Sequence, residues 1–309
     1  GRFVRTETDF STTIAGHVVD FTRRYDSQAA GVEGSFGFGW SLALRDVRVQ
    51  TDVPLTGREA NGVYEPLEKG SRLYVTTPTG ERVGFTFDPV HTVGNGFDWW
   101  TPRWVADAGH DWQLTSSDAK LQRGTDRFYD LITGAAYNPA ADLDERAQYR
   151  LVANDGTAYE LSAQRGITAI AFTDGVRLSV SDSGITGPGN ASIAFELDDA
   201  GRIATVQSTD GRMFTYSYDT VGNLVAVRDL GAATSVRYGH ADPTDHRVTL
   251  VAGAELSVSW EVHTVHVVAL AIDPANRILD DGLAAIRCGR DARAHRIAES
   301  LARAGIAGA

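Results

Sequence analysis

Two consecutive stretches of this chain superimpose on each other, and that recurrence restricts the fold more than any other feature. Residues 198–219 read "DDAGRIATVQSTDGRMFTYSYD" and residues 218–240 read "YDTVGNLVAVRDLGAATSVRYGH". Gly201 falls on Gly222, Ile203 on Leu224, Gly211 on Gly231, Tyr216 on Val236 and Tyr218 on Tyr238, at a spacing of 20 or 21 residues. Upstream, "NDGTAYELSAQRGITAIAFTDGVRLSV" is a looser copy, with Asp155-Gly156 and Asp174-Gly175 nineteen residues apart. A fixed period of this length marks an array of stacked supersecondary units. Each unit reads as strand, turn, strand, turn. The Asp supplies a side-chain acceptor for the turn backbone, and the Gly accepts positive φ without a Cβ clash. A single hairpin cannot bury its apolar face, but a stack of them can.

The same period-two alternation extends over residues 3–238. "HVVDFTRRYDS", "RLYVTTPTGERVGFTF" and "ASIAFELDDAGRIATVQS" alternate apolar and polar side chains between Gly, Asn-Gly or Asp-Gly breaks. This predicts half-buried antiparallel strands joined by short hairpins. One short helical turn is expected in "NPAADLDERAQYRL", near Asp142. The chain carries 40 acidic and 29 basic residues, a formal charge of −11, which argues against a nucleic-acid partner for the β region. A single cysteine, Cys288, excludes an internal disulfide framework. No apolar run approaches the ~20 residues of a membrane-spanning helix. The sequence begins at Gly1 with neither initiator methionine nor targeting segment, which predicts a processed or excised piece.

Past "HADPTDH" the pattern changes. A strand pair in "VTLVAG" and "ELSVSWEVHTVHVVALAIDP" leads into "NRILDDGLAAIRCGRDARAHRIAESLARAG". There Ile278, Leu279, Leu283, Ile286, Ile297 and Leu301 fall at helical steps, and Gly305 suits a C-cap. The switch from strand to helix period places a domain boundary at about residue 242.

"YSYDTVGNLVAVRD" resembles the YD repeat of Rhs proteins, teneurins and the C-component of insecticidal toxin complexes. "FVRTETDF", "VDFTRRYDS" and "GSFGFGWSLAL" are similar to the entry region that precedes the repeats in Rhs proteins, and "DGTAYEL" fits a degenerate repeat. The resemblance covers residues 3–240. It implies a β-sheet that spirals into a hollow shell around a toxin cargo or beside an adhesion module. The copies present here are too few to close such a shell. The family's self-cleaving motif is absent, because Asp242-Pro243 lacks the following Gly-Leu.

"LVAGAELSVSWEVHTVHVVALAIDP" with the segment after it resembles a different family, the PHP-domain phosphoesterases of nucleotide and RNA phosphates. That resemblance implies Glu255 as a metal-bridging carboxylate and His266 as a metal ligand, holding divalent Mn or Mg. The His-x-His pair that opens the family is missing, so two ligands of an incomplete set remain.

Several motifs have plainer readings. Gly37, Gly39 and Trp40 read as a β-turn with a buried aromatic, because no helix start follows to make a phosphate loop. Trp99, Trp100, Trp104 and Trp112 suit core or turn packing better than a sugar platform. "DLDERA" lacks the glycine of a helix-loop-helix calcium site. Cys288, flanked by Arg287 and Arg290, reads as a half-buried structural thiol.

The expected fold is mainly β: an antiparallel YD-repeat hairpin array, a partial β-shell, with a small α+β C-terminal segment ending in an amphipathic helix. The expected divisions are an entry region over 1–150, repeats over 151–241 and a phosphoesterase-like fragment over 242–309. The expected function is a non-catalytic, cofactor-free shell fragment in toxin encapsulation, delivery or cell-surface contact, secreted from or displayed on a bacterium. Its partners are the rest of a larger shell or its cargo. The alternatives are an inactive phosphoesterase remnant and a carbohydrate-binding β-domain.

Overall fold

Alternating side chains close the first hairpin at once. Val4–Ile14 pairs antiparallel with His17–Asp26 around Ala15 and Gly16, whose φ values of 50° and 90° make a tight two-residue turn. Trp40–Leu42 adds a third strand beside His17–Asp26. A β-bulge falls between Thr8 and Phe10, leaving Asp9 unopposed. The bulge shifts the inward parity, so that Glu7 and Asp9 point inward before it and Phe10, Thr12 and Ile14 after it.

The computed structural model describes residues 2–94, 96–141 and 148–240, with the backbone of Val248–Thr249, Ala254–Trp260 and His263–Ala269. The chain divides into two compact units, one containing Gly1–Arg237 and the other Arg247–Ala309. The architecture is mainly β and antiparallel. Among the described residues the helical elements are two single 3-10 turns, Ser27–Ala29 and Glu59–Asn61. The helical turn expected near Asp142 and the C-terminal helix with Cys288 lie outside the described residues.

The period found in the sequence is realised as one eleven-stranded sheet. After Gln113–Ser116 at one edge, the strands from Tyr149–Val152 to Thr234–Arg237 follow each other in sequence order. Five of its hairpin turns share one hydrogen-bond pattern. In the sharpest pair, Asp198 N donates to Arg202 O at 2.8 Å and Gly201 N to Asp198 O at 2.9 Å; Asp219 N donates to Asn223 O at 3.0 Å and Gly222 N to Asp219 O at 3.2 Å. The turns at Ala153–Thr157, Phe172–Val176 and Ser208–Arg212 repeat it. In each, the glycine before the closing residue is left-handed, with φ from 81° to 99°. Three strand pairs also carry a register shift beside the turn, at Glu160/Leu161, Glu196/Leu197 and Ser217/Tyr218.

The last turn departs from the sequence alignment. Gly231, aligned with left-handed Gly211, is not left-handed; Ala233 is, at φ 55°. The reason is local. Asp229 Oδ1 accepts from Gly231 N at 2.8 Å and Ala232 N at 3.0 Å, which moves the reversal two positions on.

Two four-stranded sheets complete the first unit. One runs Val49–Thr51, Arg72–Thr76, Arg82–Phe87, Trp104–Ala106, and the other Val90–Gly94, Phe97–Thr101, Leu121–Gly124, Arg127–Asp130. The N-terminal hairpin lies on one face of the large sheet through aromatic pairs: Phe10 on Phe214 at 5.4 Å and Phe21 on Phe195 at 5.8 Å. Ile14, Phe21, Leu42, Leu178, Ile193, Ile203, Val206 and Leu224 are fully buried there. Burial of this kind stabilises by about 25 cal/mol per Å² of apolar surface.

Candidate functional site

The bulge at Asp9 sets up the most polar part of this core. Arg23 is buried on the inward face of its strand, with 1% of its side chain exposed. Its guanidinium grips Asp9 with two bonds, Nε to Oδ2 and Nη2 to Oδ1, both 2.7 Å. Nη2 also reaches Glu7 Oε2 at 3.0 Å, and Glu7 takes a second bond from Arg5. Two arginines thus neutralise two carboxylates. The Arg23 plane lies 5.2 Å from the Trp40 ring, 5.7 Å from Tyr216 and 5.9 Å from Phe36. The Tyr216 hydroxyl donates to Asp9 Oδ2 at 2.7 Å. Burial, and then the Asp9 charge, push the Tyr216 phenol well above its ordinary range, so it stays protonated as a donor.

From this cluster the segment "GSFGFGW" crosses the turns on one end of the large sheet. Ser35 O accepts from Ile203 N at 2.8 Å, and Phe38 N donates to Gly222 O at 3.4 Å. Farther along, Arg45 O accepts from Ile167 N at 2.8 Å, and the Arg45 side chain meets Asp182 at 2.6 Å. Asp46 fixes the segment's own shape by accepting from Ser35 N at 2.8 Å, Ser35 Oγ at 2.7 Å and Leu42 N at 2.8 Å. Glycine is compulsory at the closest approach: a Cβ on Gly37, where φ is 80°, would sit 2.2 Å from Gly222 O. Gly37, Gly39 and Trp40 therefore form a turn with a fully buried indole rather than a phosphate loop. The sequence flagged these residues but gave no sign of what they dock on.

The Tyr-Asp pair of the repeat joins successive units. Tyr218 Oη donates to Ile203 O at 2.5 Å, and Arg202 stacks on its ring at 4.3 Å. Asp219 Oδ1 accepts from Val221 N at 3.0 Å and Asn223 N at 2.8 Å; Asp198 Oδ1 accepts from Ala200 N at 3.0 Å and Arg202 N at 2.9 Å. Burial works against ionisation of both carboxyls, but these donors, with the Asn223 amide and the Arg202 guanidinium, outweigh it and hold both below the usual carboxylate range.

At its C-terminal edge the sheet ends on Thr234–Arg237, whose four residues are all exposed. Val236 is 46% exposed, whereas the aligned Tyr216 is buried.

Two segments of the chain match family models. Residues 198–235 match the RHS Repeat. Residues 1–85 match a domain of unknown function, DUF6531. The repeat match falls on the Tyr-Asp turns, and the other covers the hairpin with the "GSFGFGW" segment. Among curated proteins, the 3',5'-nucleoside bisphosphate phosphatase of Chromobacterium violaceum is 42% identical over 85 residues, covering 28% of this chain and 30% of that protein. The 5'-3' exoribonuclease Rnm of Salmonella typhimurium is 44% identical over 62 residues, covering 20% of this chain and 21% of that protein. The chain spans less than a third of the length of these relatives.

The sequence-derived metal residues lie on the hairpin of the second unit, Ala254–Trp260 with His263–Ala269. There Glu255 pairs in register with Val268, and His266 with Ser257. Their side chains lie outside the described residues. Among the described residues no group of three His, Cys, Asp or Glu side chains is placed to hold a metal ion.

The four tryptophans disperse. Trp104 is buried against Phe87 at 5.1 Å and Tyr149 at 6.0 Å. Trp100 packs on His91 at 4.9 Å and Phe128 at 5.6 Å. Trp112 donates to Glu81 at 3.0 Å, and Trp99 lies under Lys120 at 4.7 Å.

Proposed function

We propose that this chain is a non-catalytic segment of a larger Rhs-type YD-repeat shell, in which residues 1–150 seal the turn end of the array and supply its first edge strand, and residues 151–241 form the rest of its wall. The observation that carries this reading is the seam from Ser35 to Arg45, which bonds through its backbone to three hairpins at one end of the sheet, at Ile167, Ile203 and Gly222. Such a seam closes the turn end of the array. At the other edge, exposed Val236 stands where its repeat-equivalent Tyr216 is buried, as expected where a further repeat adds on. The role assigned to the shell is encapsulation and delivery of a toxin cargo, or contact at a cell surface, outside a bacterium. Among the described residues no helix is long and apolar enough to cross a membrane.

Limited proteolysis of the full chain tests this. A protected body ending near residue 240 is expected. Early cuts spread over 150–240 would remove the proposal.

The partial identity to a phosphatase and an exoribonuclease supports a second reading, in which part of the chain is the remnant of a metal-dependent phosphoesterase with Glu255 and His266 as ligands. Binding of Mn²⁺ by the full chain, weakened by Glu255→Ala and by His266→Ala, would support it; Mn²⁺ binding that neither substitution changes would discard it.

A further inference from the structure

We propose that a cleft between the N-terminal hairpin and the Arg72–Thr76/Arg82–Phe87 hairpin binds a small phosphate-class oxyanion. The cleft encloses about 360 Å³, and its charged lining is Arg2, Arg24, Arg48 and Arg82 with Asp26 and Asp46. A volume of this order suits a small ligand.

The two carboxylates are already engaged. Asp26 takes a fork from Arg2, at 2.6 Å to Nη2 and 3.1 Å to Nε, and a bond from Gln28 N at 3.0 Å. Asp46 is held by Ser35 and Leu42 in the seam described above. Arg82 lies over Tyr74 at 4.2 Å and donates to Gln50 at 3.2 Å. Among the described residues, Arg24 and Arg48 make no side-chain hydrogen bond and no ion pair. Both are half-buried.

An unpaired, half-buried guanidinium is costly unless something meets it. Arg24 is also held in place: its guanidinium lies over Gly80, where a Cβ would stand 1.1 Å from Nη1. Burial, and then the nearby Arg2 charge, lower its pKa, with the Asp26 charge acting against them. Four guanidiniums against two carboxylates leave the cleft at +2, in a chain whose net charge is −11. A phosphate or phosphomonoester carries about −1.5 to −2 at neutral pH, and its oxygens match the fork of two arginines. A carboxylate supplies only half that charge.

The test is isothermal titration of the full chain with inorganic phosphate and, separately, with AMP as a phosphomonoester, against chloride at matched ionic strength. Saturable binding at one site is expected, with Kd raised at least tenfold by Arg24→Gln and by Arg48→Gln. Arg103→Gln, on a surface pair with Asp88, leaves it unchanged. Tighter binding of phosphate assigns the free ion, and tighter binding of AMP a phosphorylated molecule. Circular dichroism checks each variant's fold; should Arg24→Gln unfold, Arg48→Gln decides alone. A heat no larger than that of chloride, or undiminished affinity in the folded variants, overturns the proposal.

Discussion

The hydroxyl of Tyr216 donates to the carboxylate of Asp9 across 207 positions of sequence, at 2.7 Å. That bond ties the repeat wall to the hairpin that opens the chain, and it ends on a carboxylate already held by Arg23. The two partners differ in what their loss leaves behind. Tyr216→Phe removes one donor, while Asp9 keeps its fork from Arg23, and a cost of about 1–3 kcal/mol is expected. Arg23→Met leaves Asp9 and Glu7 in the interior with no counter-charge from that side, and about 3–5 kcal/mol is expected. Urea unfolding followed by tryptophan fluorescence separates the two. An Arg23→Met chain as stable as Tyr216→Phe would mean that the cluster is solvated rather than buried.

Gly37 and Gly211 are both left-handed, at φ 80° and 93°, but only Gly37 faces another backbone. At Gly211 nothing lies within 4 Å of the place a methyl group would take, so Gly211→Ala meets backbone strain alone, about 1–2 kcal/mol. Gly37→Ala adds a collision with the Gly222 carbonyl. The expected outcome is a larger loss of thermal stability for Gly37→Ala, with proteolytic cuts appearing first between the entry segment and the Asp219 turn. Equal losses would show that the seam contributes no more than an isolated turn.

Much of the wall was legible in the sequence, because a period of two fixes which side chains face inward and Asp-Gly breaks fix where strands reverse. Gly201, Gly222 and the Asp219 turn are where the spacing placed them. Three things were not legible. The bulge at Asp9 breaks the alternation it sits in, so Asp9 and Phe10 share a face that period two assigns to only one of them. The Gly231 turn depends on which backbone N–H groups Asp229 captures, and spacing does not specify that. The seam is a set of long-range backbone bonds, and "GSFGFGW" carries no mark of its partner. Of the sites, the Arg23 cluster was missed because its members are scattered from Glu7 to Tyr216; an arginine on the inward face of "VDFTRRYDS" was the available signal.

The tryptophans give a prediction that divides packing from recognition. Trp104 is buried, with its indole N–H on Ser116 at 3.2 Å, and Trp104→Ala is expected to cost about 3–5 kcal/mol through the cavity it leaves. Trp99 is half-buried under a lysine, and Trp99→Ala is expected to cost less than about 1.5 kcal/mol, near the value of one partly exposed cation–π contact. Calorimetric Tm values rank the two. A glycan panel that quenches wild-type fluorescence, with the response lost in folded Trp99→Ala, would instead make this face a sugar platform.

Acid sensitivity follows from the turn aspartates. Asp198 and Asp219 titrate lower in the folded chain than the ordinary Asp value of about 3.9 expected when unfolded. Because the folded value is the lower of the two, it is the ionised carboxylate that favours the fold. The contribution is fully present above about pH 5, and it is lost as the pH falls through the unfolded value and then the folded one. Urea unfolding at stepped pH should therefore give a plateau above about pH 5 and a decline below about pH 4, steepening by up to ~1.4 kcal/mol per pH unit for each proton taken up. Asp219→Asn keeps an oxygen to accept from Val221 and Asn223 but cannot titrate. Its curve should start lower, because the Asn223 amide then meets a second amide, and should decline less steeply. A decline parallel to the wild type would show that the Asp219 carboxylate does not share in the acid response, and the coupling between its protonation and the repeat turn would be lost.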